Sequence, residues 1–231
     1  MSSVPLTAYR SKMIHNDVIR SAAVLDPVRT TIRPYRATDL RDIYEISVRT
    51  AEAGGDARGI YCDDDLMPDL FAGPYLHLEP ELAFVLDDGG RAVGYVLGTA
   101  DTPRFVQAYR RVWIPRLTPK YPAPPPTSTT RDEQAFALHH DPERLLVPEL
   151  RDYPAHLHIN VLPSYQGGGH GRGLIDVFLD ALATRGVPAL HITPLTVNAS
   201  ALAFYYRYGF HDIPVADPGL TSYLGIRTPS R

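Results

Sequence analysis

The chain has 231 residues, 44% of them hydrophobic and 21% charged, with a net charge of −3 and a single cysteine. That balance excludes wholesale disorder, and the small net charge excludes a global basic field that would draw the protein onto nucleic acid or a membrane surface. Cys62 alone rules out an intramolecular disulfide framework and any multi-cysteine zinc site, so no metal is expected.

Residues 1–29 read as an N-terminal arm with four basic and two acidic side chains, either a partly ordered appendage or a binding tail. The start, Met1 to Pro5, lacks a charged region followed by an apolar stretch, and no apolar run approaches the ~20 residues of a membrane span. The expected location is therefore cytoplasmic. Thr30 to Tyr35 predicts a strand, Thr38 opens a helix as its N-cap, and Gly54-Gly55-Asp56 breaks it. Leu82 to Leu86 and Ala92 to Ala100 predict a hairpin turning at Asp87 to Gly90. Gly94 and Gly98 inside its second strand predict a bulge or a close backbone approach. Asp63-Asp64-Asp65 is either a substrate lip for a cationic group or a solvated turn.

Ten of the 22 prolines fall between Pro103 and Pro154. Pro122 to Thr130 is incompatible with a helix interior or a central strand. Phe105, Tyr109, Trp113 and Phe136 around it point to a packed insertion, residues 103–155, rather than a linker. Strand signal returns at His156 to Leu162, with His156, His158 and Asn160 on one face and Leu157, Ile159 and Val161 on the other. A glycine-rich loop, Gln166-Gly-Gly-Gly-His-Gly-Arg-Gly173, leads into a helix with an apolar stripe that ends at Gly186. Ala189 to Leu195 predicts a buried strand and Asn198 to Tyr208 a helix stopped by Gly209. Phe210 to Val215 and Ser222 to Arg227 predict closing strands.

A strand, a glycine loop and a helix N-terminus form an anion site, because the first-turn N–H groups have no intrahelical partner. The loop lacks the Gly-Lys-Ser/Thr of a P-loop and the Gly-x-Gly-x-x-Gly of a dinucleotide site. What remains is Gln166-x-x-Gly169-x-Gly171 after Leu162-Pro163. This segment resembles the acetyl-CoA loop of the GNAT acetyltransferase family. Asn198-x-x-Ala201-x-x-Phe204-Tyr205-x-Arg207-x-Gly209-Phe210 resembles that family's second signature. Asn198 and Tyr205 lie two helical turns apart and share a face.

The resemblance implies an α/β (α+β) GNAT fold, with a mixed, mostly antiparallel sheet splayed at the acetyl-CoA site, over residues 30–231. It implies acetyl-CoA as cosubstrate, held by Val161, Leu162, Gln166, Gly167, Gly168, Gly169, His170, Gly171, Arg172, Asn198 and Tyr205. Ile32 to Asp39, Gly73 to Leu86, Gly94 to Gly98 and Tyr153 to Ile159 further resemble bacterial GNAT proteins similar to the C-terminal histone-acetyltransferase-like domain of O-GlcNAcase. That domain is regarded as a pseudo-acetyltransferase.

Acetyl transfer requires a neutral amine, a donor for the thioester oxygen and a proton for the departing thiolate. Tyr205 stands where the family places its proton donor. A backbone N–H near Val161 or Leu162 is the expected oxyanion donor. The strand carries no carboxylate, so His158 or His156 is the candidate base. The implied function is N-acetyl transfer to an amine, on a small molecule or a protein lysine. The alternative is an acetyl-CoA-binding module acting as a sensor. A homodimer is a family-level expectation; neither nucleic acid nor membrane is an expected partner.

Overall fold

The computed structural model describes residues 30–127 and 129–230; the arm predicted for residues 1–29 lies outside them. Seven strands form one sheet: β1 (Thr31–Pro34), β2 (Ala83–Asp88), β3 (Arg91–Thr99), β4 (Ala155–Val161), β5 (Ala189–Ile192), β6 (His211–Asp212) and β7 (Leu224–Arg227). Their spatial order is β1-β2-β3-β4-β5-β7-β6. Every neighbouring pair is antiparallel except β4 and β5, which run parallel.

Eight α-helices complete the described chain: α1 (Leu40–Val48), α2 (Leu66–Phe71), α3 (Gly73–Leu78), α4 (Thr102–Ala108), α5 (Ile114–Leu117), α6 (Arg131–His140), α7 (His170–Thr184) and α8 (Ala199–Tyr208). The apolar stripe of α7, Leu174, Ile175, Phe178, Leu179 and Leu182, is buried against β2, β3 and β4. The buried Ile43 and Ile46 of α1 pack over β3. The period-2 alternation of the strands directs side chains to these two layers. Tyr95 and Asn160 face α1, whereas a Cβ built on Gly98 would meet Phe178 of α7 at 2.7 Å and the His156 carbonyl oxygen at 2.1 Å. Gly98 thus marks the close approach that its position in a strand suggests. The pairing of β2 with β3 shifts between Leu86 and Asp87, opposite the other strand glycine, Gly94.

Four predicted elements are shorter in the structure. β5 ends at Ile192, short of Pro194. The closing strands reduce to His211–Asp212 and Leu224–Arg227, and Pro214, inside the first predicted span, supplies no N–H to a ladder. The first helix starts at Leu40, after a 3₁₀ turn over Ala37–Asp39. There the Asp39 carboxylate accepts from the Arg36 N–H and from the Arg33 guanidinium.

The proline-rich stretch folds onto α2 and α3. Phe105, Tyr109 and Trp113 are buried, on a path that passes from α4 through a π-helical turn, Tyr109–Trp113, into α5. Trp113 Nε1 donates to the Asp69 carbonyl at 2.9 Å. The Asp69 carboxylate, itself buried, accepts from Tyr44 at 2.6 Å, from Tyr121 at 2.8 Å and from Lys120 at 2.9 Å. Lys120 also meets Asp63 at 2.8 Å. Thr130 caps α6 reciprocally with Glu133.

Candidate active site

β4 and β5 pair only at Ala155↔Leu190 and His156↔His191. Beyond that point the strands part, and a cleft of about 700 Å³ opens between them. Along β4, Leu162 N–H donates to the Val93 carbonyl at 3.0 Å, with Gly94↔Val161 and Tyr95↔Asn160 as the next pairs. In an antiparallel ladder alternate residues bond to the same neighbour. The N–H groups of Asn160 and Leu162 therefore belong to β3, and those of Ile159 and Val161 face the side from which β5 has withdrawn. Of the two expected oxyanion donors, Leu162 is excluded because its N–H is already bonded and its side chain is buried. Val161 N–H is the available one. The Val161 carbonyl on the same edge is covered by Gln166 Nε2 at 2.9 Å.

The glycine loop closes one end of the cleft. Gly167 and Gly169 take φ of +80° and +82°, the left-handed region that favours glycine. Gly169 is the N-cap of α7, and the first N–H returned to the loop is that of Gly173, to the Gly169 carbonyl. The N–H groups of His170, Gly171 and Arg172 are therefore left for a ligand, at the positive end of the helix dipole. Val161, Gln166, Gly167, Gly171, Asn198 and Tyr205 line the cleft. Gly168, Gly169, His170 and Arg172 belong to the same loop and helix start but are not among the lining residues. There the Arg172 guanidinium lies 4.8 Å over the Tyr208 ring and donates to the Arg207 carbonyl.

Asn198 and Tyr205 line the same cleft from α8. Asn198 Oδ1 caps the helix by accepting from Ala201 N–H at 3.0 Å, leaving the side-chain Nδ2 for the cleft. A Cβ on Gly54, in the opposite wall, would stand 3.7 Å from it. The Tyr205 hydroxyl has no hydrogen-bond partner among the described residues, and burial pushes its phenol up, so it carries its proton at neutral pH. The other cleft tyrosine, Tyr165, is already bonded to Asp88.

The histidines of β4 sit elsewhere. His156 and His158 face α3 and are absent from the cleft lining. Their hydrogen bonds assign their tautomers. Thr102 Oγ1 donates to the Pro154 carbonyl at 2.8 Å, so it accepts from His156 Nδ1–H at 2.7 Å. His156 Nε2 then accepts from the Tyr75 hydroxyl at 2.7 Å, and the Tyr75 oxygen accepts from His158 Nε2–H at 3.1 Å. Both ring nitrogens of His156 are occupied, which removes it as a general base. Burial and the neighbouring His191 and His158 hold its imidazole well below the usual range. Burial pushes His158 down to about 4.

The acidic run is likewise committed. Asp63 pairs with Lys120, Asp64 accepts from Gly59 N–H at 2.7 Å, and Asp65 lies 3.6 Å from Arg41. Among the described residues, none of 103–155 lines the cleft. No group of three or more His, Cys, Asp or Glu side chains among the described residues converges as metal ligands would.

The sequence reading did not identify the wall opposite Asn198, formed by Thr50, Ala51, Ala53 and Gly54. Its only signal there is the helix break at Gly54-Gly55, which marks a loop without saying what it faces.

A sheet splayed beside a strand–glycine loop–helix unit is the architecture of an acyl-CoA-dependent transferase. The chain belongs to the acetyltransferase (GNAT) family, whose profile matches residues 40–210. It is 54% identical to SsHAT, whose crystal structure superposes with a TM-score of 0.84 over 87% of this chain and 99% of that one. It is 25% identical to the protein O-GlcNAcase of Rattus norvegicus over 202 residues, 86% of this chain and 22% of that enzyme, so it spans about a fifth of the relative's length. The PaiA N-acetyltransferase of Thermoplasma acidophilum, solved in complex with coenzyme A, shares the fold at 12% identity and a TM-score of 0.54, over 86% of this chain and 99% of that one.

Proposed function

We propose that the protein is an acetyl-CoA-dependent N-acetyltransferase in which an amine attacks the thioester directly. The observation that carries this reading is the cleft itself. It opens where β4 leaves β5 and brings an unpaired strand N–H, a glycine loop and an unpartnered tyrosine hydroxyl into one site. Backbone N–H groups at the start of α7 bind the pyrophosphate. Val161 N–H donates to the thioester oxygen as charge develops there. The amine nitrogen forms the new bond to the acetyl carbon, the carbon–sulfur bond breaks, and Tyr205 gives its proton to the departing thiolate. The proton lost by the amine replaces it, so acid and base balance over the turnover. The departing thiolate, whose thiol has an ordinary pKa near 8.5, is a weaker base than the Tyr205 phenolate, so the transfer is uphill by itself and is drawn forward by the proton that the amine returns to the phenol as negative charge reaches sulfur.

A second reading has its own support. Among the described residues, the cleft lining holds no carboxylate and no imidazole. An acetyl-CoA-binding module without turnover would need neither. Calorimetry with acetyl-CoA, followed by thiol release on an amine panel, separates the two. Binding with thiol release supports the transferase. Binding with no release on any amine supports the module. No binding refutes both.

Residues 30–231 act in this reading as one domain. Residues 103–155 brace α2 and α3 and do not gate the cleft.

A further inference from the structure

We infer that the acceptor is an amine of low pKa, with a substantial neutral fraction at physiological pH, such as a peptide α-amine, rather than a lysine ε-amine. This rests on the transferase reading above and names its substrate class.

Three observations carry it. First, Arg207 is the sole ionised side chain lining the cleft among the described residues, and it is cationic. Around it the walls are uncharged, and the one facing Asn198 is built of Thr50, Ala51, Ala53 and Gly54. An ammonium entering this space would lose its hydration without a counterion, and that is costly. Second, the acidic groups nearest in sequence to that wall are engaged elsewhere. Glu52 meets Arg131 at 3.2 Å, Asp56 bonds Arg58, and Asp63, Asp64 and Asp65 hold Lys120, the Gly59 N–H and Arg41. Third, both β4 histidines lie outside the cleft lining, His156 with its two ring nitrogens bonded to Tyr75 and Thr102 and His158 held by Tyr75 through Nε2.

With no carboxylate or imidazole lining the cleft among the described residues to take a proton from an ammonium, the acceptor must arrive neutral. At pH 7.5 about one lysine amine in 800 is neutral, against about one α-amine in three, roughly a 250-fold difference in reactive form. The cleft therefore discriminates by acceptor pKa without any specific contact.

The test uses the full chain with acetyl-CoA and two peptides of one sequence. One has a free α-amine and an acetylated lysine, and the other has the reverse. Ethylamine and its 2,2-difluoro and 2,2,2-trifluoro derivatives, whose ammonium pKa falls with fluorination, complete the panel. The expected result is a kcat/KM at pH 7.5 at least about 100-fold higher for the α-amine peptide. In addition, the inflection of each pH–rate profile should follow the amine's own pKa. An inflection fixed at one pH for every amine would reveal an enzyme base and overturn the inference while leaving the transferase reading intact. Preference for the lysine peptide at pH 7.5 would overturn it as well. Acetyl-CoA binding with no thiol release on any of the five amines overturns both.

Discussion

Replacing Gly169 by alanine tests whether the loop conformation itself binds the cosubstrate. Gly169 caps α7 at φ +82° and ψ −3°. A Cβ built there meets nothing within 4 Å, so alanine introduces no clash. Its cost is conformational, about 1–2 kcal/mol for an L-residue held in the left-handed region. The loop is exposed, so in the free protein it relaxes with little loss of fold stability. Binding must then restore the strained shape that aims the N–H groups of His170, Gly171 and Arg172. A 1–2 kcal/mol penalty corresponds to about a 5- to 30-fold rise in Kd. Calorimetry with acetyl-CoA should show that rise, with the melting temperature nearly unchanged. Gly59→Ala is the control. Gly59 also has positive φ, +71°, with nothing within 4 Å of a built Cβ, and it lies outside the cleft lining. It should leave Kd unaltered. Equal affinity of Gly169→Ala and the parent protein would refute the assignment of these N–H groups to the pyrophosphate.

Tyr205→Phe removes a hydroxyl that has no hydrogen-bond partner among the described residues, so stability and acetyl-CoA affinity should hold while kcat falls by about 10²–10⁴; unchanged turnover in a steady-state thiol assay would exclude the proton-donor role. Asp69→Asn removes the anion that Tyr44, Tyr121 and Lys120 share. Losing one partner of a buried ionic network costs about 3 kcal/mol, or roughly 6–12 °C in Tm for a chain of this size. Because none of the described residues of 103–155 lines the cleft, the acetyl-CoA Kd should stay constant, and a parallel loss of affinity would show that the insertion shapes the site. Stability should also fall with acidity. His139, His156 and His158 are held below their unfolded pKa of 6.5 by burial, so unfolding takes up protons between that value and the folded one, near 4 for His139 and His158. Their stabilising contribution is complete above pH 6.5 and declines below it, with a slope approaching about 1.4 kcal/mol per pH unit for each histidine. A flat Tm between pH 7 and 5 would contradict the neutral assignments.

Much of the site could be read from local sequence because the chemistry is local. Gln166 to Gly173 is a strand–loop–helix junction within one continuous segment, and its glycines state where the backbone turns left-handed. Asn198 and Tyr205 lie on one short helix segment, so their spacing fixes their common side. What surrounds the histidines of β4 could not be read locally, for a physical reason. Alternation placed them together on one face, but their meaning depends on Tyr75 and Thr102, 81 and 54 residues away from His156. The oxyanion donor was ambiguous in the same way. Strand periodicity does not say which neighbour a given N–H serves, and the bond from Leu162 to Val93 decides it.

The sequence by itself determined the family, the glycine loop and the α/β layering, because these rest on turn geometry and on periodicities of 2 and 3.6 residues that each segment carries alone. Only the tertiary structure decided where the cleft lies and what it lacks. β4 and β5 stay together for two residue pairs and then part. That parting selects Val161 and Tyr205 for the site, leaves the histidines in the packed layer under α3 and confines the proline-rich stretch to bracing. The described residues therefore divide by contact rather than by composition: Phe105, Tyr109 and Trp113 of the proline-rich stretch pack into the scaffold, and side chains from distant segments line the cleft.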